Sequence, residues 1–113
     1  MKPMTRVYVL DDEGQRIFGE GPYRLLLAVE ELGSLRAAAQ SMGMAYTKAL
    51  KILKRAEQAL GCPLTCRQVG GKDGGGSRLT PQGREVLERY AAFRDQCVQA
   101  NQRIYQSIFG TGL

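Results

Sequence analysis

Glycines divide the middle of this sequence into short helical stretches, and this pattern constrains the fold more than any other feature. Ser34 is suited to cap a helix over 35–42, and Gly43 follows that helix directly. A second helical pattern begins at about residue 45 or 46 and ends at Leu60, before Gly61. The middle of the chain is therefore predicted to hold two consecutive helices joined by a tight turn.

The residue types around this turn are typical of two helices that cross steeply. Such a crossing needs a small residue where the helices touch, a glycine able to adopt positive φ, and apolar residues on the inner face of the second helix. Four positions supply these types: Ala39, Gly43, Ala49 and Ile52. The segment 34–53 predicts a helix-turn-helix, with an ordinary helical hairpin as the alternative because small residues occur at many helix corners.

Two β-hairpins and two further helices are predicted around this motif. Strand-like runs over 7–10 and 15–18 predict an N-terminal hairpin within 1–20. Pro22 is expected at the first position of a helix ending at Gly33, and Thr80 with Pro81 is expected to open a last helix over 81–109.

The predicted fold class is mainly α with small β elements, in the order β-β-α-α-α-β-β-α. This order predicts that the chain forms a single winged helix-turn-helix domain over 1–113. Its predicted parts are the β-hairpin at 1–20, a three-helix segment at 22–60, a wing at 64–80 and a long C-terminal helix at 81–109.

The positive charge of the chain is concentrated in its middle third. The 113 residues carry 16 Lys and Arg against 11 Asp and Glu, a net charge of +5. Residues 34–80 hold eight of the positive and two of the negative side chains, whereas residues 1–33 are net negative. A localised excess of positive charge favours a polyanionic partner.

Part of this charge falls on the second helix of the motif. Lys48, Lys51 and Arg55 are spaced so that they lie opposite the apolar face of that helix. There they would line the exposed side of a helix that enters the major groove of double-stranded DNA. A basic face that is merely solvated is the alternative.

The glycine-rich segment 70–77 separates the two strand patterns of the wing. It does not fit a nucleotide-binding loop, because Lys72 precedes the main glycine run instead of following it. As the tip of a wing it allows close approach to a phosphate, with Arg67, Lys72 and Arg78 supplying positive charge. A flexible hairpin turn without such contacts is the alternative.

Apolar residues recur along the last helix at alternating steps of four and three: Val86, Tyr90, Phe93, Cys97, Ala100 and Ile104. This heptad spacing fits either a long core helix or a helix paired with its symmetry mate. Because the seam is longer than one small core needs, we predict a homodimer interface. Its predicted residues are Val86, Tyr90, Phe93, Cys97 and Ile104.

The composition argues against an enzyme, a metal site and a cofactor. The chain has no histidine, which removes the usual general base and the commonest metal ligand. Three cysteines, Cys62, Cys66 and Cys97, are too few for a tetrahedral zinc site and are expected to be reduced thiols. With no apolar stretch near the ~20 residues of a membrane span and no signal-peptide pattern, we expect a cytoplasmic protein without a membrane partner.

Several motifs together resemble those of one family. They are Gly-Ser-Leu-Arg-Ala-Ala-Ala at 33–39, Gly-Met-Ala-Tyr at 43–46, Cys-Pro-Leu at 62–64, Gly-Gly-Lys at 70–72 and Leu-Thr-Pro-Gln-Gly at 79–83. The stretch 19–90 resembles the N-terminal winged helix-turn-helix of the ModE-type molybdate-responsive regulators, relatives of the LysR-type DNA-binding domain. The resemblance implies a homodimeric transcription factor whose third helix enters the major groove.

Carried over by position, the resemblance places Tyr46, Thr47, Lys48 and Lys51 in the groove and Lys72 at the wing contact. We add Ser34 and Arg36, at the start of the second helix, to this predicted DNA-binding set.

Three positions depart from the family pattern. Ala45 replaces a serine that caps the recognition helix, Leu50 replaces a tryptophan, and Asp73 places a negative charge in the glycine run. Family members that sense molybdate do so through a separate C-terminal oxyanion-binding domain, which this sequence lacks. No small-molecule effector is evident in this chain, and we expect the chain alone not to bind molybdate tightly.

The residues and the resemblance together predict a sequence-specific DNA-binding transcriptional regulator that acts as a homodimer. Phosphate contacts would give affinity, and side chains of the third helix would give sequence preference. The alternative is a winged-helix module that assembles a protein complex and does not bind nucleic acid.

Overall fold

The computed structural model describes residues 1–68 and 76–111 of the chain. Its elements follow the predicted order: β1 (Val9–Leu10), β2 (Arg16–Phe18), α1 (Glu20–Leu32), α2 (Leu35–Ser41), α3 (Tyr46–Leu60), β3 (Thr65–Gln68), β4 (Gly76–Leu79) and α4 (Pro81–Phe109). β1 pairs with β2 and β3 with β4, each pair antiparallel, to give two small separate sheets. The predicted fold class is confirmed.

The N-terminal hairpin is shorter than predicted. One oxygen of the Asp11 carboxylate accepts hydrogen bonds from the backbone N–H groups of Glu13 and Gln15, both at 2.9 Å. Gly14 completes the turn at φ 84°. The first strand begins at Val9 and not at Val7, and the Val7 carbonyl instead accepts a hydrogen bond from the Tyr90 hydroxyl at 2.9 Å.

Pro22 is not at the first position of α1, as the sequence predicted. α1 begins two residues earlier, at Glu20, with Gly19 as its N-cap. Pro22 is therefore the third helical residue, which is still within the first turn, where a backbone N–H has no partner inside the helix. The predicted end is confirmed, because Gly33 adopts φ 71° and its N–H bonds the Val29 carbonyl.

The helix-turn-helix forms as predicted, with small differences at the ends. The Ser34 side chain caps α2 by accepting a hydrogen bond from the Ala37 N–H at 3.1 Å. α2 ends at Ser41, one residue before the predicted end, and the turn passes through Gly43 at φ 66°. α3 begins at Tyr46 after Ala45, whose side chain supplies no cap, as expected for alanine at this position.

The start of α4 explains the Leu-Thr-Pro-Gln-Gly motif. The Thr80 hydroxyl accepts from the Gly83 N–H at 3.0 Å and donates to the Pro63 carbonyl at 2.7 Å. The Thr80 N–H bonds the Leu64 carbonyl at 3.0 Å. A Cβ on Gly83 would collide with that same carbonyl, so a side chain is not tolerated there. These contacts tie the wing to the last helix.

A single apolar core joins the three-helix segment, the wing and the first half of α4. Its members include Leu25 and Val29 of α1, Leu53 of α3, Leu64 before the wing and Leu87 of α4. Leu60, the last residue of α3, is 41% exposed because the core ends one turn earlier, at Ala56. Beyond the core α4 projects outward, and the longest dimension of the molecule is 61 Å.

Candidate nucleic-acid interface

α3 separates apolar and basic side chains on its two faces. Ala49, Leu53 and Ala56 are buried against the rest of the domain. The opposite face carries exposed polar and basic side chains: Thr47, Lys48, Lys51, Lys54 and Arg55. The packing of the inner face therefore fixes which residues α3 presents to solvent.

Tyr46 and Arg36 connect the first turn of α3 to α2. The Arg36 guanidinium lies over the Tyr46 ring, 4.3 Å from its centroid. This cation–π contact restrains two of the predicted interface residues without neutralising the charge of Arg36. The Ala45 carbonyl accepts hydrogen bonds from the N–H groups of Lys48 and Ala49, both at 3.1 Å, so the helix is regular from its first turn.

The basic residues of this region have no acidic partners in the described part of the chain. Ion pairs within 4.0 Å there involve arginines of α1 and α4: Arg24 and Arg94 with Glu20, Arg84 with Glu30, Arg89 with Glu85, and Arg94 with Asp95. Arg36, the lysines of α3, Arg55, Arg67 and Arg78 form none among these residues. Their positive charge is available to an external anion.

The wing is attached to the turn that precedes α2. The Ser77 N–H donates to the Gly33 carbonyl at 2.8 Å. A Cβ on Gly76 would collide with the same carbonyl, which explains one glycine of the glycine-rich segment. Sequence reasoning missed this contact, because it joins residues 44 positions apart with no periodic pattern. It sets the position of the wing relative to the helix-turn-helix.

The structure does not bring the two predicted wing arginines to one face. Cys66 pairs with Arg78 and Arg67 with Ser77, and directly paired residues share a face of the ribbon. Arg67 and Arg78 are both exposed but lie on opposite faces. Lys72, the predicted wing contact, lies outside the described residues. Ser34 is half-buried, and its hydroxyl oxygen is engaged in the cap of α2.

A groove of about 650 Å³ separates α3 from the N-terminal hairpin. Thr47, Lys51, Lys54 and Arg55 line one side. Asp11, Glu13, Gln15 and Ile17 line the other. Sequence reasoning did not place the hairpin beside α3, because residues 11–17 have no apolar–polar alternation that would mark a packed face.

The predicted dimer seam divides into buried and exposed parts. Tyr90 is only 5% exposed and packs edge-on against Phe18 of its own chain, with ring centroids 5.2 Å apart. Its assignment to a dimer interface is therefore corrected: Tyr90 is a core residue of the single chain. Phe93 and Ile104 are 50% and 58% exposed, and Val86 and Cys97 are half-buried.

Other kinds of site find no support within the described residues. No group of three or more Cys, Asp or Glu side chains there is placed to hold a metal ion. Cys62, Cys66 and Cys97 are free thiols. Among the helices of residues 1–68 and 76–111, none combines the length and apolar character needed to span a membrane.

Known proteins similar to this chain are transcriptional regulators and proteins of molybdenum metabolism. Over 88 residues it is 36% identical to the molybdenum-pterin-binding protein MopB of Rhodobacter capsulatus, covering 78% of this chain and 32% of MopB. Over 99 residues it is 29% identical to the molybdenum transport protein ModE of Azotobacter vinelandii, covering 88% of this chain and 37% of ModE. The chain thus spans about a third of these relatives, and the predicted ModE-type resemblance is confirmed.

Solved structures with the same fold are found among LysR-type regulators. The BenM DNA-binding domain, solved in complex with catB site 1 DNA, matches with a TM-score of 0.51 and 24% identity over 74% of this chain and 91% of that chain. A full LysR family transcriptional regulator matches with a TM-score of 0.56 and 18% identity, over 77% of this chain and 28% of that chain. At these identities the likeness concerns the fold.

The model of the bacterial regulatory helix-turn-helix proteins of the lysR family matches residues 22–84, which span α1 to the start of α4. These are regulators, in agreement with the prediction that the chain is not an enzyme. Because the match covers more than half of the sequence, this chain belongs to the lysR family of bacterial regulatory helix-turn-helix proteins.

Proposed function

We propose that this chain is a sequence-specific DNA-binding transcriptional regulator that acts as a homodimer in the cytoplasm. The observation that carries the proposal is the exposed basic face of α3, directly after the helix-turn-helix turn, without an acidic partner in the described residues. An unpaired basic face on such a helix is complementary to the phosphate-lined major groove. The family match and the DNA complex of the similar BenM domain support the same partner.

The proposed contacts divide between base recognition and phosphate binding. Thr47, Lys48 and Lys51 extend from a helix held by a packed core, so they have the rigidity needed to recognise base edges. The Tyr46–Arg36 pair flanks them as a backbone contact, and Arg55 offers positive charge to further phosphates. In the wing, Arg67 and Arg78 lie on opposite faces, so we expect only one of the two to face the DNA.

The homodimer is proposed to form along the projecting part of α4. Phe93, Cys97 and Ile104, with Val86 at the margin, keep apolar surface that their own chain does not cover. A two-fold pair of such helices would bury this surface and set the spacing between two recognition helices. Light scattering of the Phe93→Asp variant should detect monomers where the unaltered chain is dimeric, and an unchanged dimer would rule out this interface.

Duplex selection from a random pool, followed by binding measurements on the selected and scrambled duplexes, tests the DNA-binding proposal. Lys48→Ala should reduce the binding free energy by about 1 to 3 kcal/mol for the selected duplex and by much less for the scrambled one. Lys2→Ala is the matched control, because it removes the same side chain from the exposed N-terminus. If both variants lost the same affinity for both duplexes, a role of Lys48 in base recognition would be contradicted.

Lys72→Ala tests the wing in the same assay. A lysine in a glycine-rich segment is expected to act as a positive charge that contacts a phosphate. Its loss should therefore weaken binding to both duplexes alike. The salt dependence of binding should flatten by about one unit of log-log slope per protomer. Absence of any salt-dependent duplex binding by the unaltered chain would instead favour a module that binds other proteins.

A further inference from the structure

The acidic turn of the N-terminal hairpin stands beside the basic face of α3. Asp11, Glu13, Gln15 and Ile17 line the groove of about 650 Å³, whereas Asp12, Gly14 and Arg16 do not. Arg16 lies over the Tyr8 ring instead, with its guanidinium carbon 3.9 Å from the ring centroid. Alternate residues of the hairpin thus face α3, and two of them, Asp11 and Glu13, are acidic.

The turn is held in a defined shape. The Asp11 carboxylate is occupied by the N–H groups of Glu13 and Gln15, and the Gly14 N–H donates to the Asp11 carbonyl at 3.0 Å. Glu13 is exposed, and its carboxylate takes part in no hydrogen bond or ion pair within residues 1–68 and 76–111. The hairpin therefore presents two negative charges to the groove. The Asp11 carboxylate is held by the backbone of the turn, and the Glu13 carboxylate is free to meet an approaching phosphate.

The opposite wall of the groove carries positive charge that is also unpaired in the described chain. Lys51, Lys54 and Arg55 have no carboxylate within 4.0 Å there. The width of a groove of this size is comparable to the Debye length, which is about 8 Å at physiological salt. Charges on its two walls are therefore not fully screened from one another. A phosphate that reaches Lys54 or Arg55 through the groove must approach Glu13, while a phosphate at Lys48, which does not line the groove, need not.

We propose that Glu13 is a specificity-determining residue: its carboxylate disfavours phosphate along the groove side of α3 and so lowers the affinity for non-specific DNA. The inference rests on the proposed function. Base contacts fix one register of the DNA on α3, whereas non-specific complexes sample many registers, including those that bring a phosphate to the groove side. A carboxylate on that side therefore weakens non-specific complexes more than the specific one. The hairpin turn thereby improves discrimination without contacting a base.

Glu13→Gln tests the proposal, with Asp12→Asn as the matched control. Each variant removes one negative charge from the same exposed turn, but only Glu13 lines the groove. The hydrogen bond that Glu13 gives to Asp11 comes from its backbone N–H, so the substitution leaves the turn intact. Unchanged thermal unfolding should verify this.

In a dimer, Glu13→Gln should raise the affinity for a scrambled duplex roughly fivefold. The affinity for the selected duplex should change by less than about twofold. Asp12→Asn should change both by less than about twofold. Adding Arg55→Gln to Glu13→Gln should remove most of the gain on the scrambled duplex, because the phosphate site released by the first change is then lost.

Three results would overturn the inference. Equal effects of Glu13→Gln and Asp12→Asn would mean that only net charge matters. Equal strengthening of both duplexes by Glu13→Gln would mean that the residue affects affinity and not specificity. Failure of the unaltered chain to bind any duplex would overturn the proposed function and this inference together, whereas binding with no difference between the two variants would overturn this inference alone.

Discussion

The two halves of α4 have the same heptad spacing but opposite surroundings. In the first half, Gly83, Leu87 and Tyr90 are buried, and Thr80 caps the helix. In the second half, Ile104 and Ile108 are 58% and 67% exposed, and no buried residue of α4 follows Tyr90. Within the one seam, Tyr90 thus belongs to the core of the chain, whereas Phe93 and Ile104 remain uncovered.

This difference shows that heptad spacing alone does not tell whether a helix packs against its own chain or against a partner. Around Tyr90 the cover comes from the chain itself: Phe18 from the hairpin and Tyr23 from α1 pack against its ring. Near Asn101 the N-terminal segment contacts the helix, through hydrogen bonds of the Asn101 amide to the Met4 carbonyl and the Thr5 hydroxyl. The uncovered part of the seam, from Phe93 onward, is the part on which the proposed dimer mainly depends.

Tyr90→Ala should have the largest effect on the stability of the chain. Removing a buried aromatic side chain leaves a cavity and should lower the free energy of unfolding by about 3 to 5 kcal/mol. Ile108→Ala, in the exposed half, should change it by less than about 0.5 kcal/mol when measured at dilution. Urea unfolding of both variants measures this contrast, and similar losses would mean that the two halves do not differ as described.

Ile104→Asp should act on association and not on the fold of the chain. A charge placed in an apolar dimer seam costs about 3 kcal/mol, which raises the dimer dissociation constant roughly a hundredfold. Gln102→Asp places the same charge on the opposite side of the helix and should leave the dimer intact. Sedimentation analysis compares the two, and dissociation by both variants alike would indicate a general charge effect.

Thr80→Ala should destabilise the first half of α4 selectively. The variant loses the cap on the Gly83 N–H and the hydrogen bond to the Pro63 carbonyl, at a cost of about 2 kcal/mol. Thr80→Ser keeps the hydroxyl and should cost less than about 1 kcal/mol. In the alanine variant, amide hydrogen exchange should accelerate in the first turns of α4. An equal loss of amide protection along the whole helix would contradict a local role of Thr80.

Tyr90→Phe should have the smallest effect, and one that depends on pH. Loss of the hydrogen bond to the Val7 carbonyl should cost about 1 kcal/mol. Burial, with the nearby Glu20 carboxylate, raises the pKa of the Tyr90 hydroxyl above its ordinary value of 10.0. Above about pH 10 the unfolded chain ionises its tyrosine first, which favours unfolding of the unaltered protein.

The stability difference between the unaltered chain and Tyr90→Phe should therefore be full below about pH 9 and shrink as the pH rises through the raised pKa. Denaturant titrations of both proteins on either side of pH 10 test this direction. A difference that grows at high pH would contradict the assignment of the buried hydroxyl as a hydrogen-bond donor.

Local chemistry made much of the helix-turn-helix predictable. Gly33 and Gly61 end their helices at positive φ, which glycine adopts without steric cost, and the side chains of Ser34 and Thr80 cap helices through residues three positions away. The basic outer face of α3 was predictable for a similar reason, since helical periodicity fixes which side chains lie opposite its apolar stripe. Pro22 was misplaced because proline is compatible with several positions in a first turn.

The sequence by itself determined the order of elements, the C-terminal ends of α1 and α3 and the basic face of α3, because each depends on residues within about a turn of one another. Only the tertiary structure decided that Tyr90 belongs to the core, that the wing is fastened to the Gly33 carbonyl, and that the acidic hairpin turn lies beside α3. These contacts join distant positions, such as Tyr90 and Val7. Their partners are selected by how the elements pack into one core, which no local spacing encodes.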